Sequence, residues 1–330
     1  MIKDIIKKTL DDGQLTDEEI AALFKVPLFT DESALMLSAS RKKSGIASHG
    51  LAEVHAQVGL NIAPCPRNCA FCSFAAINKV FQQCSELSPE EATGRAQQFE
   101  KDGANAIYLM VTGDYPFDKF LEIAQEVRQA LDRKTTLVAN VGDFTAQQAI
   151  RLKDTGFAGI YHAVRLGEGT DTSIPVETRL QTFKHAAEAG LLLGTCLEPI
   201  GTEHAIGELV EKTIITREAH PVYSGAARRI PLPGTAMASH GMVSEARMAH
   251  ILAAVRLALG YAVQGNCTHE PNVIGAAAGA NLLWAEAGSN PRDSEKETEG
   301  KRGMTVKDCR HIFEEAEWKV RSGPSKFYAT

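Results

Sequence analysis

Residues 54–72 read VHAQVGLNIAPCPRNCAFC: an apolar run with the character of a strand, followed at once by Cys65, Cys69 and Cys72. The chain holds only seven cysteines in 330 residues, so three of them inside eight positions is a concentration that asks for a chemical reason. The spacing is C-x-x-x-C-x-x-C. Three thiolates ligate three irons of a cubane and leave the fourth iron without a protein ligand, which makes an open coordination site. A tetrahedral zinc site needs a fourth ligand from elsewhere, such as Cys84, Cys196, Cys267 or a histidine. Three inert thiols are the remaining reading.

Working outward, apolar strand candidates recur near residues 54–62, 106–111, 136–141, 158–164, 191–197, 222–230, 258–264 and 280–284. Between most of them lie helix-compatible segments such as SPEEATGRAQQFEKDGA, DKFLEIAQEVRQALDRK, VETRLQTFKHAAEAG and EARMAHILAAVRLALG. Regular alternation of this kind predicts an α/β fold of eight β/α units, a (β/α)8 TIM-type barrel. Closure gathers the carboxyl ends of all the strands around one mouth, where residues distant in sequence meet. Upstream, Thr16 and Glu19 form a capping box for a helix with an Ile20, Leu23, Phe24 stripe. The expected division is an N-terminal helical extension over 1–50, a barrel core over 51–288, and a C-terminal part over 289–330. In that last part the polar stretch GSNPRDSEKETEGKRG is expected to be mobile, and TVKDCRHIFEEAEW to form a packing helix.

Composition narrows the function classes. A content of 44% hydrophobic and 23% charged residues is that of an ordinary globular chain. A net charge of −6 without a dense basic block gives no electrostatic support for nucleic-acid binding. No run is long enough for a membrane span, the N-terminus lacks the pattern of a secretory signal, and crowded, odd-numbered cysteines argue against a disulfide framework. The expected setting is the reducing cytoplasm; composition does not set an oligomeric state.

The cysteine motif resembles that of the radical S-adenosylmethionine family, and the resemblance runs from about Val54 to Trp284. It implies that Cys65, Cys69 and Cys72 hold a [4Fe–4S] cluster whose open iron binds the amino and carboxylate groups of S-adenosylmethionine. Reduction then yields methionine and a 5'-deoxyadenosyl radical. Phe71 takes the position that packs near adenine, with core packing as the alternative. Thr112, Gly113 and Asp114 look like the segment receiving the methionine amino group, Gly113 for close approach and Asp114 for charge, although TGD is also a common turn. Asn140 reads as a ribose or substrate contact or as a strand terminator.

In IYHAVRLGEGTDTSIP, a regular strand would put His162 and Arg165 on opposite faces. Arg165 reads as a carboxylate clamp and Glu168 as a partner for a hydroxyl or ammonium, or both as a surface salt bridge. In GTCLEPIGTEH, Ile200 corresponds to an adenine contact and Glu203 to a loop brace. Glu198 reads as a substrate contact or as a carboxylate neutralised by Arg228. Arg228 and Arg229 alternate, so that one should face the cavity. His269 and Glu270 orient substrate, complete a network, or lie in a loop facing solvent.

The AGAN segment near residue 280 is similar to the biotin synthase group, with its HydE, methylornithine synthase and HmdB relatives. EPIGTEH resembles the HmdB branch, while the first cysteine interval is shorter than in that branch. LMVTGD, LVANVG and LLLGTC do not carry the cysteines that hold the second cluster of biotin synthase. The expected activity is hydrogen abstraction from a small polar biosynthetic precursor, followed by rearrangement or fragmentation. An external electron donor such as flavodoxin or ferredoxin is implied. The alternatives are a radical methylase, a sulfur-transfer enzyme or a noncatalytic metal-binding scaffold. Cys196 and Cys267 are the pair expected at the barrel mouth.

Overall fold

The computed structural model describes residues 1–329. Strand β1, Leu51–Gly59, is buried along nearly its whole length and pairs in parallel on both sides. On one side follow β2 (Ala106–Met110), β3 (Thr136–Asn140), β4 (Gly159–Tyr161) and β5 (Leu192–Gly194), each parallel to the last. The short β6 (Leu197–Ile200) continues where β5 stops, and both pair with β7 (Tyr223–Arg228). Strands β8 (Gly265–His269) and β9 (Leu282–Gly288) return to β1, closing an eight-stranded parallel barrel whose fifth stave is β5 with β6. Closure removes the edges of the eight barrel strands, leaving open edges only on short pairings outside it such as Asn61–Ile62 with Ser85–Glu86 among the described residues.

Period-two alternation builds two cores from one strand. On β1, Ala52, Val54, Ala56 and Val58 face outward into a cluster with the helix residues Phe120, Ala124 and Val127. Glu53, His55 and Gln57 face inward, where His55 packs against Tyr108 and Trp284. The crossover helices begin where the sequence provides caps. Ser88 with Glu91 caps α4 (Pro89–Lys101), and Thr145 with Gln148 caps α6 (Ala146–Thr155), each helix satisfying its first N–H groups through a reciprocal box. Between them runs α5 (Phe117–Ala130), and α7 (Val176–Glu188), α8 (Ile206–Glu218) and α9 (Glu245–Ala258) follow. The N-terminal helices α1 (Ile2–Leu10), α2 (Asp17–Lys25) and α3 (Asp31–Ala47) share a second core with α9; the Thr16–Glu19 box and buried Ile20, Leu23 and Phe24 are present as expected.

Two expectations are corrected. The strand sought at 258–264 is the end of α9 and a turn, apolar because Ala258, Leu259 and Val263 pack against the N-terminal helices. The true strand is the polar GNCTH, whose buried Asn266 donates through Nδ2 to Gly279 O at 3.0 Å. Secondly, the stretch expected to be mobile is tied down: Asn290, Asp293 and Thr298 are buried, and Arg302 joins Asp293 at 2.9 Å and Glu286 at 2.8 Å.

After the packing helix α10, Val306–Glu315, the strand Lys319–Val320 pairs with the start of β1, and the chain then closes the amino end of the barrel. Phe327 and Tyr328 are buried there. They fit because β4 and β8 begin with glycine: a Cβ on Gly159 would lie 2.5 Å from the Tyr328 ring, and one on Gly265 3.0 Å from that of Phe327. Tyr328 Oη meets Tyr108 Oη at 3.0 Å, which in turn meets His55 Nδ1 at 3.0 Å. Since this plug is aromatic and fully packed, Phe327→Ala should lower stability by about 3–5 kcal/mol in urea unfolding, with the native circular dichroism preserved. A loss below about 1 kcal/mol would mean the plug is not part of the core.

Candidate active site

The cysteine loop hangs from β1 by hydrogen bonds that the sequence pattern does not announce. Asn61 donates from Nδ2 to Thr112 Oγ1 at 3.0 Å and accepts at Oδ1 from the Thr112 N–H at 2.9 Å, locking the loop's base to the TGD turn after β2. Within the loop, Cys65 N–H donates to Phe74 O and Ala76 N–H to Cys65 O. Asn78 is the clamp: its Nδ2 donates to Cys72 O at 2.8 Å and lies 3.2 Å from Cys69 O. All three thiols line one wall of a cavity at the carboxyl ends of the strands.

Most expected residues meet in that cavity. Phe71, Thr112 and Gly113 stand on the side of the cysteine loop, and Asn140, Arg165, Glu198, Arg228 and His269 on the facing walls. Asn140 donates to Gln57 Oε1 at 2.8 Å. The remainder lie outside the lining. Asp114 is exposed. Ile200 is 1% exposed and packs behind the wall with Leu209 and Val210. Glu168 is buried and occupied by Arg179 Nε at 3.1 Å and Thr172 Oγ1 at 2.6 Å. Glu203 accepts from Arg229, and that hydrogen bond, against the opposing effect of burial, holds its carboxyl down at about 2. Glu270 accepts from Arg228 Nε at 2.5 Å.

Four geometric expectations change. His162 and Arg165 both face the cavity, because β4 ends at Tyr161 and regular alternation ends with it. Arg228 and Arg229 likewise both line it, since β7 ends at Arg228. Glu198 is partnered by Arg165, Nε to Oε1 at 3.4 Å, while Arg228 belongs to Glu270. Cys196 and Cys267 are not at the mouth: they lie inside the barrel, sulfur to sulfur at 3.6 Å, among Tyr108, Tyr161 and Tyr223.

A buried network was absent from the sequence reading. His162 Nε2–H donates to Asp143 Oδ1 at 2.9 Å, and Arg179 Nη1 reaches Asp143 Oδ2 at 3.1 Å. Inward parity on β1 and β9 could have identified Gln57 and Trp284 as lining residues; Asp143 sits in a loop that carries no such period. Burial pushes His162 down to about 4, with Arg179 adding to the shift against the hydrogen bond to Asp143. Burial and Arg292 push His269 down to about 3.

The sign of the pH effect follows. Each imidazole is harder to protonate in the folded chain than at its ordinary value near 6.5. Its contribution to stability is therefore complete above about pH 6.5 and is lost as the pH falls towards the folded value. Urea unfolding should show about 2 kcal/mol lost per buried histidine between about pH 7 and pH 5, with a smaller loss in His162→Gln. A pH-independent stability over that interval would contradict the burial of neutral imidazoles.

A barrel that brings three thiols and several ion pairs into one cavity at its catalytic end has the form of a metallocluster enzyme. Residues 63–211 match the family model described as the radical SAM superfamily. Over that segment, which is less than half of the chain and holds the three cysteines, the chain is similar to the radical SAM superfamily. It is 26% identical over 294 residues to the biotin synthase of Anaplasma marginale (strain Florida), covering 82% of this chain and 86% of that protein. The biotin synthase of Acetivibrio thermocellus is 24% identical over 271 residues, covering 78% and 82%. In fold it is similar to methylornithine synthase (PylB), with a TM-score of 0.81 at 16% identity over 98% of each chain. It is also similar to the FeFe-hydrogenase maturase HydG from Carboxydothermus hydrogenoformans, with a TM-score of 0.80 at 19% identity over 100% of this chain and 82% of that one. The similarity to that superfamily implies use of a [4Fe–4S] cluster and S-adenosylmethionine. Among the described residues no helix is long and apolar enough to cross a membrane.

Proposed function

We propose that Cys65, Cys69 and Cys72 hold a single [4Fe–4S] cluster that, with S-adenosylmethionine, acts on a small polar precursor by hydrogen abstraction leading to rearrangement or fragmentation. The observation that carries this reading is the common placement of the three cysteines on one cavity wall. The donor set fits the group. Burial pushes all three thiols up, Cys72 to about 12, so bare thiolates are disfavoured and a bound metal is what would hold the sulfurs deprotonated. Among the described residues no three Cys, His, Asp or Glu side chains form a site for one metal ion. A cubane instead spreads its three ligands over three irons.

When bound, the cluster and S-adenosylmethionine supply reductive cleavage to a 5'-deoxyadenosyl radical that abstracts hydrogen. The chain's own residues would bind, orient and shield. Gly113 permits close approach beside the cysteine loop, where a Cβ would lie 3.3 Å from Arg67 Cγ and 3.9 Å from Cys65 Sγ. Arg165, held charged by Glu198 and Glu168 against the effect of burial, is the proposed clamp for the methionine carboxylate. Phe71 and Asn140 border the same space and are proposed nucleoside contacts. Ile200, Glu168 and Glu203, lying behind the wall, are proposed supports of that surface. A separate electron donor of the flavodoxin or ferredoxin kind would supply the reducing equivalent.

Cys65→Ala, Cys69→Ala and Cys72→Ala should each abolish assembly of the cluster or reductant-dependent 5'-deoxyadenosine formation; normal cluster content and cleavage in all three would sink the assignment. Asn78→Ala, which removes the clamp and no ligand, should weaken cluster retention against a chelator by about 10–100-fold. The Cys196→Ala/Cys267→Ala double variant separates this reading from sulfur transfer. One cubane per chain before and after supports a single cluster, whereas selective loss of a second cluster together with a sulfur-containing product would favour sulfur insertion.

A further inference from the structure

Five arginines line the cavity walls away from the cysteine loop: Arg165, Arg179, Arg228, Arg229 and Arg292. Four of them meet a carboxylate at hydrogen-bond distance, at 3.4 Å for Arg165, 3.1 Å for Arg179, 2.5 Å for Arg228 and 2.8 Å for Arg229. Arg292 does not. Its nearest carboxylate oxygen, on Glu270, is 3.9 Å away, and its Nη2 donates instead to the backbone carbonyl of Arg228 at 3.3 Å. Its Nη1 is buried without any partner. A desolvated guanidinium N–H with no acceptor is costly, and arginines of this kind commonly complete their hydrogen bonding with a ligand.

Four further side-chain atoms on the same walls are in the same condition: Tyr161 Oη, Arg229 Nε, Trp284 Nε1 and His269 Nε2. The rings of Trp284 and His269 stack at 5.2 Å with 14° between their planes. An indole N–H only donates. His269 is neutral, because burial and then the charge of Arg292 oppose its protonation, so it adds a hydrogen bond without adding charge. One positive donor flanked by two neutral groups matches an acceptor with a single negative charge and oxygen atoms spread in a plane.

We propose that Arg292, with Trp284 and His269, forms the subsite for a carboxylate of the substrate. This rests on the radical-enzyme reading above. A carboxylate could also come from the methionine end of S-adenosylmethionine, and the test distinguishes the two sources. The cluster-loaded protein is first titrated with S-adenosylmethionine by calorimetry. Once saturated, it is titrated with paired acids and primary amides: butyrate and butyramide, glutarate and glutaramide, α-aminobutyrate and α-aminobutyramide.

At least one acid should bind about ten-fold or more tightly than its amide. Arg292→Gln should erase that preference, and Arg292→Lys should keep part of it. Absence of acid binding, equal binding of acid and amide, or an undiminished preference in Arg292→Gln overturns the subsite. A fall in S-adenosylmethionine affinity in Arg292→Gln as large as the loss for the acid assigns the guanidinium to the methionine carboxylate and overturns it too. Failure of the wild-type protein to bind S-adenosylmethionine refutes the underlying reading instead. The acid–amide comparison on the wild-type chain stands even if a variant does not fold.

Discussion

The seam between the first and the last strand of the barrel sets everything else in place. Seven consecutive residue pairs join β1 to β9, ending with Gly59 against Gly288. The backbones approach so closely there that a Cβ on Gly59 would lie 1.8 Å from Ser289 O, and one on Gly288 2.3 Å from Gly59 O. Only glycine allows this approach, and Gly288 also holds a positive φ of 75°. Beyond the seam, Ser289 donates from Oγ to Asn61 O at 2.8 Å, and the Ser73 N–H donates to Pro291 O at 3.1 Å. The loop after β1 and the loop after β9 are thereby stitched into one surface, which brings the cysteines and Arg292 to the same cavity from more than half the chain apart.

The cavity wall is built from opposite charges held in low dielectric. Arg165 with Glu198, Arg179 with Asp143, Arg228 with Glu270 and Arg229 with Glu203 each cancel a desolvated charge locally. Buried pairs of this kind contribute little net stability, because desolvation offsets most of their attraction. What they provide is a polar wall whose donors and acceptors are already oriented when a ligand arrives, without solvent reorganisation. Below that wall the interior changes character: Trp284, Tyr161, Tyr223 and Tyr108 fill the barrel, and the plug of Phe327 and Tyr328 closes it.

Much of this was legible in the sequence because the signals are local. The cysteine spacing, the capping box at Thr16 and the alternation of apolar runs with amphipathic segments each depend on residues a few positions apart. What was not legible depends on tertiary satisfaction of polar groups. GNCTH does not read as a core strand, since Asn266 and Thr268 are hydrophobic in neither type nor pattern; Asn266 is tolerated because Gly279 supplies its acceptor. The parity argument failed at His162–Arg165 and at Arg228–Arg229 because strands in this barrel stop just where the site begins. Asp143 and Arg292 act from loops and Asn78 from a single 3-10 turn, where no period marks them. The polar stretch after Gly288 resembles a solvated tail in composition, yet Asp293, Arg302 and Glu286 neutralise one another inside the fold.

The central claim, that the three-thiol wall holds a cluster with one open iron for S-adenosylmethionine, is tested most directly by electron–nuclear double resonance. The reduced, cluster-loaded protein would be measured with S-adenosylmethionine isotopically labelled at its amino nitrogen and its carboxylate oxygens. The account predicts hyperfine coupling from both labels to the cluster, of a strength that requires direct bonding to iron. An intact cluster that shows coupling to neither label, with S-adenosylmethionine present at saturation, would contradict it.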